Sequence, residues 1–387
     1  MITYDYIIIG AGAAGMLLAD ALGKDSFFKE TSILLLDKDR KRTNDRTWCF
    51  WEKGEGDFEE LLYKKWDNIY FGGKKNQMNL AIAPYRYKMI RGIDFYNEYS
   101  DRIRSHANIS YLQETVLEIT EVLGGVEVLT SNTLFVAKRV FNSLFDYKQL
   151  LQQQQYPVLQ QHFIGWHIQV DHDIFDETTA TFMDFSIPQQ GNTRFMYVLP
   201  FSKREAIVEY TLFSETLLKK AEYEEAIKVY LEDNFQCSDY EILDREQGSI
   251  PMTCYDFSMQ NTPFTFHIGT AGGWSKPSTG YTFMNTAKKV MALVQHLKED
   301  RPLPTFYKKK RFWYYDLLLL DILHHDNIQG SAIFEALFQN RTPQQIFQFL
   351  DEETSLLKDL WVILGAPKTP FIKALYRRLF SANFERK

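Results

Sequence analysis

The spacing of apolar and polar positions changes along the chain, and each spacing predicts a different element. Near the start, residues 5–9 form a short apolar run of the length expected for a buried parallel strand. A helical pattern follows, with apolar residues at positions 17, 18, 21 and 22, and residues 32–36 form a second apolar run that ends at Asp37. The order strand, helix, strand predicts a βαβ unit, which requires a parallel sheet and a right-handed crossover.

Further along, strand patterns dominate the middle of the chain and helical patterns dominate its end. Short apolar runs and alternation cover residues 66–93, 109–140 and 165–213. Residues 94–104 and 214–234 have the pattern of helices, as does most of the last quarter of the chain.

We therefore predict an α/β fold with three parts. A discontinuous Rossmann-type nucleotide-binding domain is interrupted by a β-rich substrate domain, and a helical C-terminal cap follows. The predicted bounds are 1–75, 100–150 and 245–300 for the nucleotide-binding domain, 76–99 and 151–244 for the substrate domain, and 301–387 for the cap.

The composition excludes some classes of protein and leaves one unusual feature. A net charge of −6 provides no basic surface for nucleic acid. Three scattered cysteines and eight histidines lack the spacing of a disulfide framework or a metal site, so we expect neither. The 30 Phe, 22 Tyr and 7 Trp would suit a long, flat, apolar ligand, although an aromatic-rich core explains them equally well.

Location is predicted from the apolar segments. No stretch approaches the ~20 apolar residues that a transmembrane helix needs. The N-terminus begins with a strand pattern rather than a secretory signal, which predicts a cytoplasmic protein. Two basic, aromatic stretches, residues 306–320 and 371–380, could lie in a headgroup plane or be ordinary helices with a solvated basic face. We expect peripheral contact with the cytoplasmic face of a membrane.

A glycine-rich turn joins the first predicted strand to the first helix. The pattern Gly10-x-Gly12-x-x-Gly15 lets the backbone approach a pyrophosphate at the positive end of the helix. Asp37 follows 22 residues after Gly15, at the tip of the second strand, where a carboxylate can bind a ribose hydroxyl. The alternative is an ordinary tight turn with a chance acidic residue. The residues assigned here to a dinucleotide are Gly10, Gly12, Ala13, Ala14, Gly15 and Asp37.

A second glycine cluster lies far downstream and indicates which dinucleotide is bound. It follows a predicted strand at residues 265–268 and leads into a predicted helix at residues 282–298. A second helix N-terminus would place its dipole against the other end of the ligand, where FAD has its isoalloxazine ring and NAD would need no such loop. FAD is therefore the expected cofactor, although such turns are common by themselves. The residues assigned to it are Gly269, Thr270, Ala271, Gly272, Gly273, Thr279, Gly280 and Tyr281.

Several ordered motifs resemble those of the FAD-dependent lycopene β-cyclase family. Residues 45–51, D-R-T-W-C-F-W, are similar to the family's D-R-T-W-S-F-W, with Cys49 where serine is usual. Residues 250–252 and 268–281 resemble its I-P-M, G-T-A-G and H-P-S-T-G-Y motifs, with Lys276 in place of the histidine. The resemblance extends from residue 4 to about residue 290.

A further motif, residues 207–211, resembles the family's F-L-E-E-T and carries the candidate chemistry. This I-V-E-Y-T segment keeps the first glutamate as Glu209 and has Tyr210 in place of the second acid. Protonation of an alkene requires a strong acid in an apolar pocket, and a buried carboxyl group stays protonated until it is used. Glu209 is therefore the first candidate acid, although it could instead be an edge-strand glutamate that faces solvent. Asp184 is the second candidate, and it could equally hold a hydrogen bond to the backbone.

The resemblance implies both a fold and a reaction. The fold would be that of aromatic hydroxylases and geranylgeranyl reductases. The reaction would convert the ψ ends of lycopene into β-ionone rings, giving γ-carotene and then β-carotene, with reduced FAD, NAD(P)H as the reductant and no net redox change. Arg46 joins the cofactor residues through its motif, and Phe195, Tyr197 and Trp274 are candidates to line the substrate pocket and stabilise a cation.

Two other classes of function stay open at this point. One is a flavin monooxygenase or prenyl-chain reductase of the same fold, which performs true redox chemistry. The other is a carotenoid- or flavin-binding protein without catalysis, in which Glu209 would be dispensable. The products formed from lycopene distinguish these three alternatives.

Overall fold

The structure is a computed structural model that describes residues 2–381. The chain divides into two compact units, each built from three segments. Unit 1 consists of Met1–Trp48, Arg91–Tyr156 and Tyr255–Lys310, and unit 2 consists of Cys49–Ile90, Pro157–Cys254 and Arg311–Lys387.

Strands and helices occur in both units. The strands are Ile2–Ile9 (β1), Ile33–Asp37 (β2), Thr47–Lys53 (β3), Lys64–Trp66 (β4), Asn68–Gly72 (β5), Gln77–Ala81 (β6), Tyr85–Arg91 (β7), Ile109–Gln113 (β8), Val116–Val122 (β9), Gly125–Thr130 (β10), Leu134–Asn142 (β11), Val158–Gln169 (β12), Thr179–Asp184 (β13), Thr193–Ser202 (β14), Glu205–Ser214 (β15), Glu241–Thr253 (β16) and Thr265–His267 (β17). The helices are Ala13–Lys24 (α1), Gly92–Ser105 (α2), Tyr147–Leu151 (α3), Lys220–Phe235 (α4), Phe283–Lys298 (α5), Arg311–His325 (α6), Gln329–Asn340 (α7), Pro343–Leu350 (α8), Leu356–Ile363 (α9) and Lys368–Ser381 (α10).

Unit 1 is built around a largely parallel sheet. Its strand order is β8-β2-β1-β11-β10-β9, and β17 also pairs with β11. The pairs β1–β2, β1–β11, β2–β8 and β11–β17 are parallel. Residues 7–9 and 33–36 are buried on both faces of the sheet, as the continuous apolar runs of parallel strands require. This arrangement confirms the predicted βαβ unit.

Unit 2 is built around a mostly antiparallel seven-stranded sheet. Its order is β16-β12-β15-β14-β13-β5-β6, and β3, β7 and β4 form a small second sheet. Alternate residues of the central strands, such as Val208 and Tyr210 of β15, pack against Tyr223 and Ile227 of α4. Because strand residues alternate between the two faces, Glu209 is on the face opposite to α4.

The division into units differs from the predicted domain bounds at two main places. Residues 301–387 were predicted as a separate cap, but Arg311–Lys387 belongs to unit 2. The other difference is in the segment before residue 75. We predicted residues 1–75 in the nucleotide-binding domain, but Cys49–Ile90 belongs to unit 2. The cause is a long-range pairing, because β5 runs parallel to β13 and extends the sheet of unit 2. Pairing between strands so distant in sequence leaves no local signal.

Helix boundaries differ from the sequence prediction mainly at α4. The predicted helix at 214–234 begins at Lys220, because β15 continues to Ser214 in register with β12 and β14. The predicted helix at 282–298 is α5, Phe283–Lys298. Among the described residues, 2–381, no helix is both long enough and apolar enough to cross a membrane.

Candidate functional site

In unit 1, the turn between β1 and α1 can be formed only by glycine at two positions. Gly10 has φ = +94°, and a Cβ there would lie 2.1 Å from Ser143 Oγ. A Cβ on Gly15 would lie 1.9 Å from the carbonyl oxygen of Gly10, so α1 can pack against the turn only with hydrogen at this position. These two glycines give the turn its shape.

Gly12 is different, because the space beside it is open. No atom outside its chain neighbours lies within 4 Å of a Cβ built there, and no side chain caps the N-terminus of α1 at Gly12. Ala13 is the first helical residue. An uncapped helix start with backbone N–H groups next to open space fits a phosphate, since both the N–H groups and the helix dipole favour an anion.

The structure brings the second glycine cluster next to this turn. Gly269 has φ = +62°, and a Cβ there would lie 2.9 Å from Cβ of Ala14 in α1. Residues 269–272, which include Thr270, Ala271 and Gly272, form one turn of 3₁₀ helix, and Gly273 ends it with φ = +65°. The two clusters are about 250 residues apart in sequence but are in contact in unit 1.

The segment before α5 contains a polar atom that has no partner. The hydroxyl of Thr279 is buried and makes no hydrogen bond in the structure. Gly280 follows with φ = +69°, and the carbonyl of Tyr281 accepts from the backbone N–H of Lys276 at 2.9 Å. A buried hydroxyl without a partner is unfavourable by about 1–3 kcal/mol, so a ligand oxygen or nitrogen beside Thr279 would remove this penalty.

Asp37 and Arg46 take part in polar contacts at the end of β2 and near the start of β3. Asp37 Oδ2 accepts from the backbone N–H of Ala11 at 2.6 Å, so this carboxylate supports the glycine turn directly. Arg46 binds the carboxylate of Asp45 at 2.9 Å and leaves about half of its side chain exposed. The roles of Asp37 toward a ribose and of Arg46 toward a cofactor stay predictions.

Trp274 lies in the interior of unit 1. It is fully buried, and its Nε1–H donates to the hydroxyl of Tyr307 at 2.5 Å. Tyr307 in turn donates to the carbonyl of Gly272 at 2.7 Å. These contacts fix the shape of the second glycine cluster from behind, and the contact of Trp274 with substrate stays a prediction.

In unit 2, two glutamates lie on either side of a glycine. The register across β16, β12, β15 and β14 aligns Glu246, Gly165, Glu209 and Tyr197 in one row. A Cβ on Gly165 would lie 3.1 Å from Cγ of Glu246 and 3.5 Å from Cβ of Glu209. With hydrogen at Gly165, the two glutamate side chains can reach each other across the middle strand. We call Glu246, Gly165 and Glu209 the carboxyl row.

Glu209 is buried in the middle of the sheet. Its strand β15 pairs on both sides, and the residue is only 8% exposed, so the alternative of an edge-strand glutamate in solvent is excluded. Its carboxylate accepts a hydrogen bond from Thr211. Burial raises the pKa of Glu209, and the adjacent charge of Glu246 raises it further, to about 8. Glu246 also shares a hydrogen bond with Glu209. Glu209 therefore retains its proton at neutral pH.

Weakly acidic groups surround one end of the carboxyl row. The hydroxyl of Tyr197 lies 2.5 Å from that of Tyr87, and both hydroxyls interact with the thiol of Cys49. Burial, together with the nearby charges of Glu246 and Glu209, keeps the pKa of Cys49 far above its usual range. Neutral groups of this kind add no charge that would draw the proton from Glu209.

Phe195 lies on the same face of the sheet as Glu209, in the row next to the carboxyl row. It pairs with Thr211 across β14 and β15, and its ring packs against Phe185 and Phe213 at centroid distances of 5.4 and 5.7 Å. Phe195 and Tyr197 thus share a face with Glu209, as cation-stabilising rings would need to. Their contact with a substrate stays a prediction.

Asp184, the second candidate acid, is not brought together with Glu209. Asp184 pairs with Met196, which belongs to the core under α4, so its side chain is on the other face of the sheet. Its carboxylate accepts from the hydroxyl of Tyr230 at 2.7 Å and from the backbone N–H of Ser186 at 2.9 Å. These contacts assign Asp184 a structural role, which joins α4 to the end of β13.

Sequence reasoning missed Glu246. This residue lies in a polar segment, 241–249, whose exposed positions resemble an ordinary edge strand. Only the register of β16 with β12 places it opposite Gly165. A local signal exists in the alternation of Glu246, Gly248 and Ile250 on one face, but it does not identify a partner 37 residues earlier in the chain.

Comparisons with known proteins agree with this architecture. Among solved structures, a geranylgeranyl bacteriochlorophyll reductase-like protein from Thermoplasma acidophilum has a TM-score of 0.61 at 13% identity, covering 96% of this chain and 98% of that chain. The flavin-dependent brominase Bmp2 has a TM-score of 0.55 at 15% identity, covering 100% of both chains. A variant of halogenase PltM in complex with FAD has a TM-score of 0.57 at 11% identity, covering 90% and 79%. These similarities confirm the predicted Rossmann-type α/β fold.

A search of curated proteins finds no match. A family model described as "Lycopene cyclase protein" matches residues 5–376, which is nearly the whole chain. This chain therefore belongs to the lycopene cyclase protein family, whose members are enzymes of carotenoid cyclisation.

Proposed function

We propose that this protein is a lycopene β-cyclase, which converts the ψ ends of lycopene into β-ionone rings, giving γ-carotene and then β-carotene. The observation that carries the proposal is the burial of the Glu209 carboxyl group next to Glu246, which raises the pKa of Glu209 so that it retains a proton to donate. Ring closure begins when a proton is added to the terminal alkene, and Glu209 is the candidate donor. Family membership supports the substrate class.

The cofactor we propose is FAD, bound in unit 1. The open space at Gly12 and the uncapped start of α1 would receive the pyrophosphate, with Asp37 on the ribose side and Arg46 as a further cofactor-binding residue. The unpartnered hydroxyl of Thr279 would face the other end of the cofactor. When bound and reduced, FAD would supply negative charge that stabilises a carbocation, and NAD(P)H is the proposed reductant.

Glu209 would act as the proton donor, and the rings of Phe195 and Tyr197 would stabilise the cation. An aromatic face attracts a cation by about 1–2 kcal/mol in dry surroundings. The strands around Glu209 exclude water from its carboxyl group, which preserves the acid in its protonated form. Asp184 has no part in the proposed reaction, because its oxygens are bound on the other face of the sheet.

The membrane contact we propose involves α9 and α10. Lys309 of the basic stretch pairs with Asp256 at 3.0 Å, and Arg311 pairs with Asp359, so the stretch at 306–320 is only partly available to lipid. By contrast, both last helices expose large apolar side chains, with Leu357 of α9 79% exposed. The exposed apolar residues are Leu356, Leu357, Leu360 and Trp361 of α9, with Leu364 after it, and Ile372, Leu375, Tyr376, Leu379 and Phe380 of α10.

A membrane-facing role for these helices agrees with an insoluble substrate. Exposed apolar residues at helical spacing suit a helix that lies in the headgroup region of a bilayer, from which a carotene could be taken up. Because this surface contains more apolar than basic side chains, we expect attachment to depend mainly on burial of apolar area.

Anaerobic incubation of the purified protein with lycopene and chemically reduced FAD tests the proposed function. A cyclase gives a product of unchanged mass with new rings, which chromatography separates from lycopene. Glu209→Gln is expected to abolish the product while retaining bound flavin. A product with added hydrogen would indicate a reductase, oxygen added only in air would indicate a monooxygenase, and unchanged lycopene would overturn the proposal. Replacing the chemical reductant by NADPH tests the reductant separately.

A further inference from the structure

Glu246 has no assigned role, yet its carboxyl group shares a hydrogen bond with the buried Glu209. The two residues belong to β16 and β15, which lie on opposite sides of β12. Two strands separated by a third are roughly 10 Å apart, so side chains on them meet only if the residue between them is small. Gly165 is that residue, since its hydrogen leaves the space in which both glutamates approach each other.

We propose that Glu246 is the positioning residue for the proton of Glu209: the two carboxyl groups share one proton across Gly165 and form the acid of the reaction together. This inference rests on the proposed cyclase function. In the pair, Glu246 is the ionised member, because it is half-buried while Glu209 is enclosed. The hydroxyl of the protonated Glu209 donates to the Glu246 carboxylate, and this keeps the proton at the buried position.

The surroundings of the pair support this assignment. Among the described residues, the groups near it include the hydroxyl of Thr211, the phenol of Tyr197 and the thiol of Cys49, with the phenol of Tyr87 behind them. None of these four groups is cationic at neutral pH. The negative charge of Glu246 is therefore the interaction, apart from burial, that favours the proton on Glu209.

The shared proton also accounts for the proton that the reaction consumes and the proton that it releases. The terminal alkene takes the proton from the pair and forms a C–H bond with its π electrons, which leaves a carbocation and one more carboxylate charge. An internal double bond then attacks the cation and closes the ring C–C bond. When a neighbouring C–H bond breaks, its electrons form the ring double bond and its proton returns to the pair. The pair thus ends each cyclisation in its starting state, in agreement with a reaction that has no net redox change.

The test compares Glu246→Gln with wild type over a range of pH. The alkaline limb of kcat/KM reports the acid of the free enzyme. Without the charge at position 246, Glu209 should lose its proton more easily, so the limb should move to lower pH by about one unit or more. The variant should lose less activity at pH 6, where Glu209 stays protonated by burial, than at pH 8. Glu241→Gln, an exposed change on the same strand, is the matched control and should leave the limb in place.

A second measurement keeps the inference testable if the variant is inactive or if wild type does not cyclise lycopene. Infrared spectroscopy follows the C=O stretch of a protonated carboxylic acid directly as pH is raised. In wild type, one such band should persist through neutral pH, be absent from Glu209→Gln and disappear at lower pH in Glu246→Gln. A band unaffected by Glu246→Gln, or an activity lowered equally at every pH, would overturn the role of Glu246.

Discussion

Replacement of Glu209 by glutamine removes the proposed acid, yet the variant should become more stable relative to wild type as pH rises. In the unfolded chain the Glu209 carboxyl group ionises near its usual pKa of 4.5, whereas in the fold its pKa is raised to about 8. Unfolding therefore releases a proton between these values. The contribution of Glu209 to stability is complete below pH 4.5 and is lost as pH rises toward 8.

The size of this effect follows from the two pKa values. At about 1.4 kcal/mol per pH unit, the free energy of unfolding of wild type should fall by about 2.5 kcal/mol between pH 5 and pH 7 through Glu209 alone. Glutamine has nearly the same shape and no proton to release. The difference in unfolding free energy, Glu209→Gln minus wild type, should therefore increase by this amount over the same interval.

Urea denaturation of both proteins at pH 5, 6, 7 and 8, at constant ionic strength, measures this difference. Titrating groups that do not interact with Glu209 are common to both proteins and cancel in the comparison. Glu241→Gln, which alters an exposed glutamate, should give a difference that does not change with pH. If the plots of unfolding free energy against pH for Glu209→Gln and wild type remain parallel from pH 5 to pH 8, Glu209 is not protonated in the fold and the prediction is wrong.

Three further predictions concern the cofactor, the membrane and a buried histidine. Gly12→Ala should keep the wild-type melting temperature but weaken flavin binding in a fluorescence titration. Gly15→Ala should weaken flavin binding and also lower the melting temperature, because its methyl group would overlap the backbone of the turn. Equal flavin affinity of Gly12→Ala and wild type would contradict the proposed phosphate position. The double change Leu357→Glu and Trp361→Glu should lower co-sedimentation with phospholipid vesicles several-fold without changing the melting temperature, and unchanged sedimentation would exclude α9 from the contact. Burial lowers the pKa of His162 to about 4, so through this residue alone wild type should lose about 3 kcal/mol of stability as pH falls from 6.5 to 4. In denaturation experiments, the unfolding free energy of His162→Gln minus that of wild type should therefore rise by this amount as pH falls, and a constant difference would contradict the prediction.

Local sequence determined the elements whose signals lie within a few residues. The apolar run at residues 5–9, the glycines after it and the acidic residue at the end of the next strand predicted a βαβ unit that the structure contains. The steric requirement at Gly15 is also local, because a Cβ there would meet the carbonyl oxygen of Gly10 in the preceding turn. At Gly10 the positive φ is local, whereas the close approach of Ser143 is not. Other short motifs, such as residues 45–51 and 268–281, carried the resemblance to the family that the family model confirms.

Tertiary structure decided which distant residues meet. The contact of Gly269 with Ala14 depends on β17 joining the sheet beside β11. Asp184 and Glu209 are separated because the side chain of Asp184 is on the face of the sheet that α4 covers and that of Glu209 is on the opposite face. The exposed apolar faces of the last helices likewise depend on how those helices pack.

The carboxyl row shows the physical reason most directly. A glutamate in an apolar strand predicts burial, but its protonation depends on burial and on the charge of Glu246, 37 residues away in sequence. That neighbour is set by the register of two strands on either side of Gly165. Strand pairing is a long-range choice made by the whole sheet, so the sequence could specify the acid while only the fold could supply its partner.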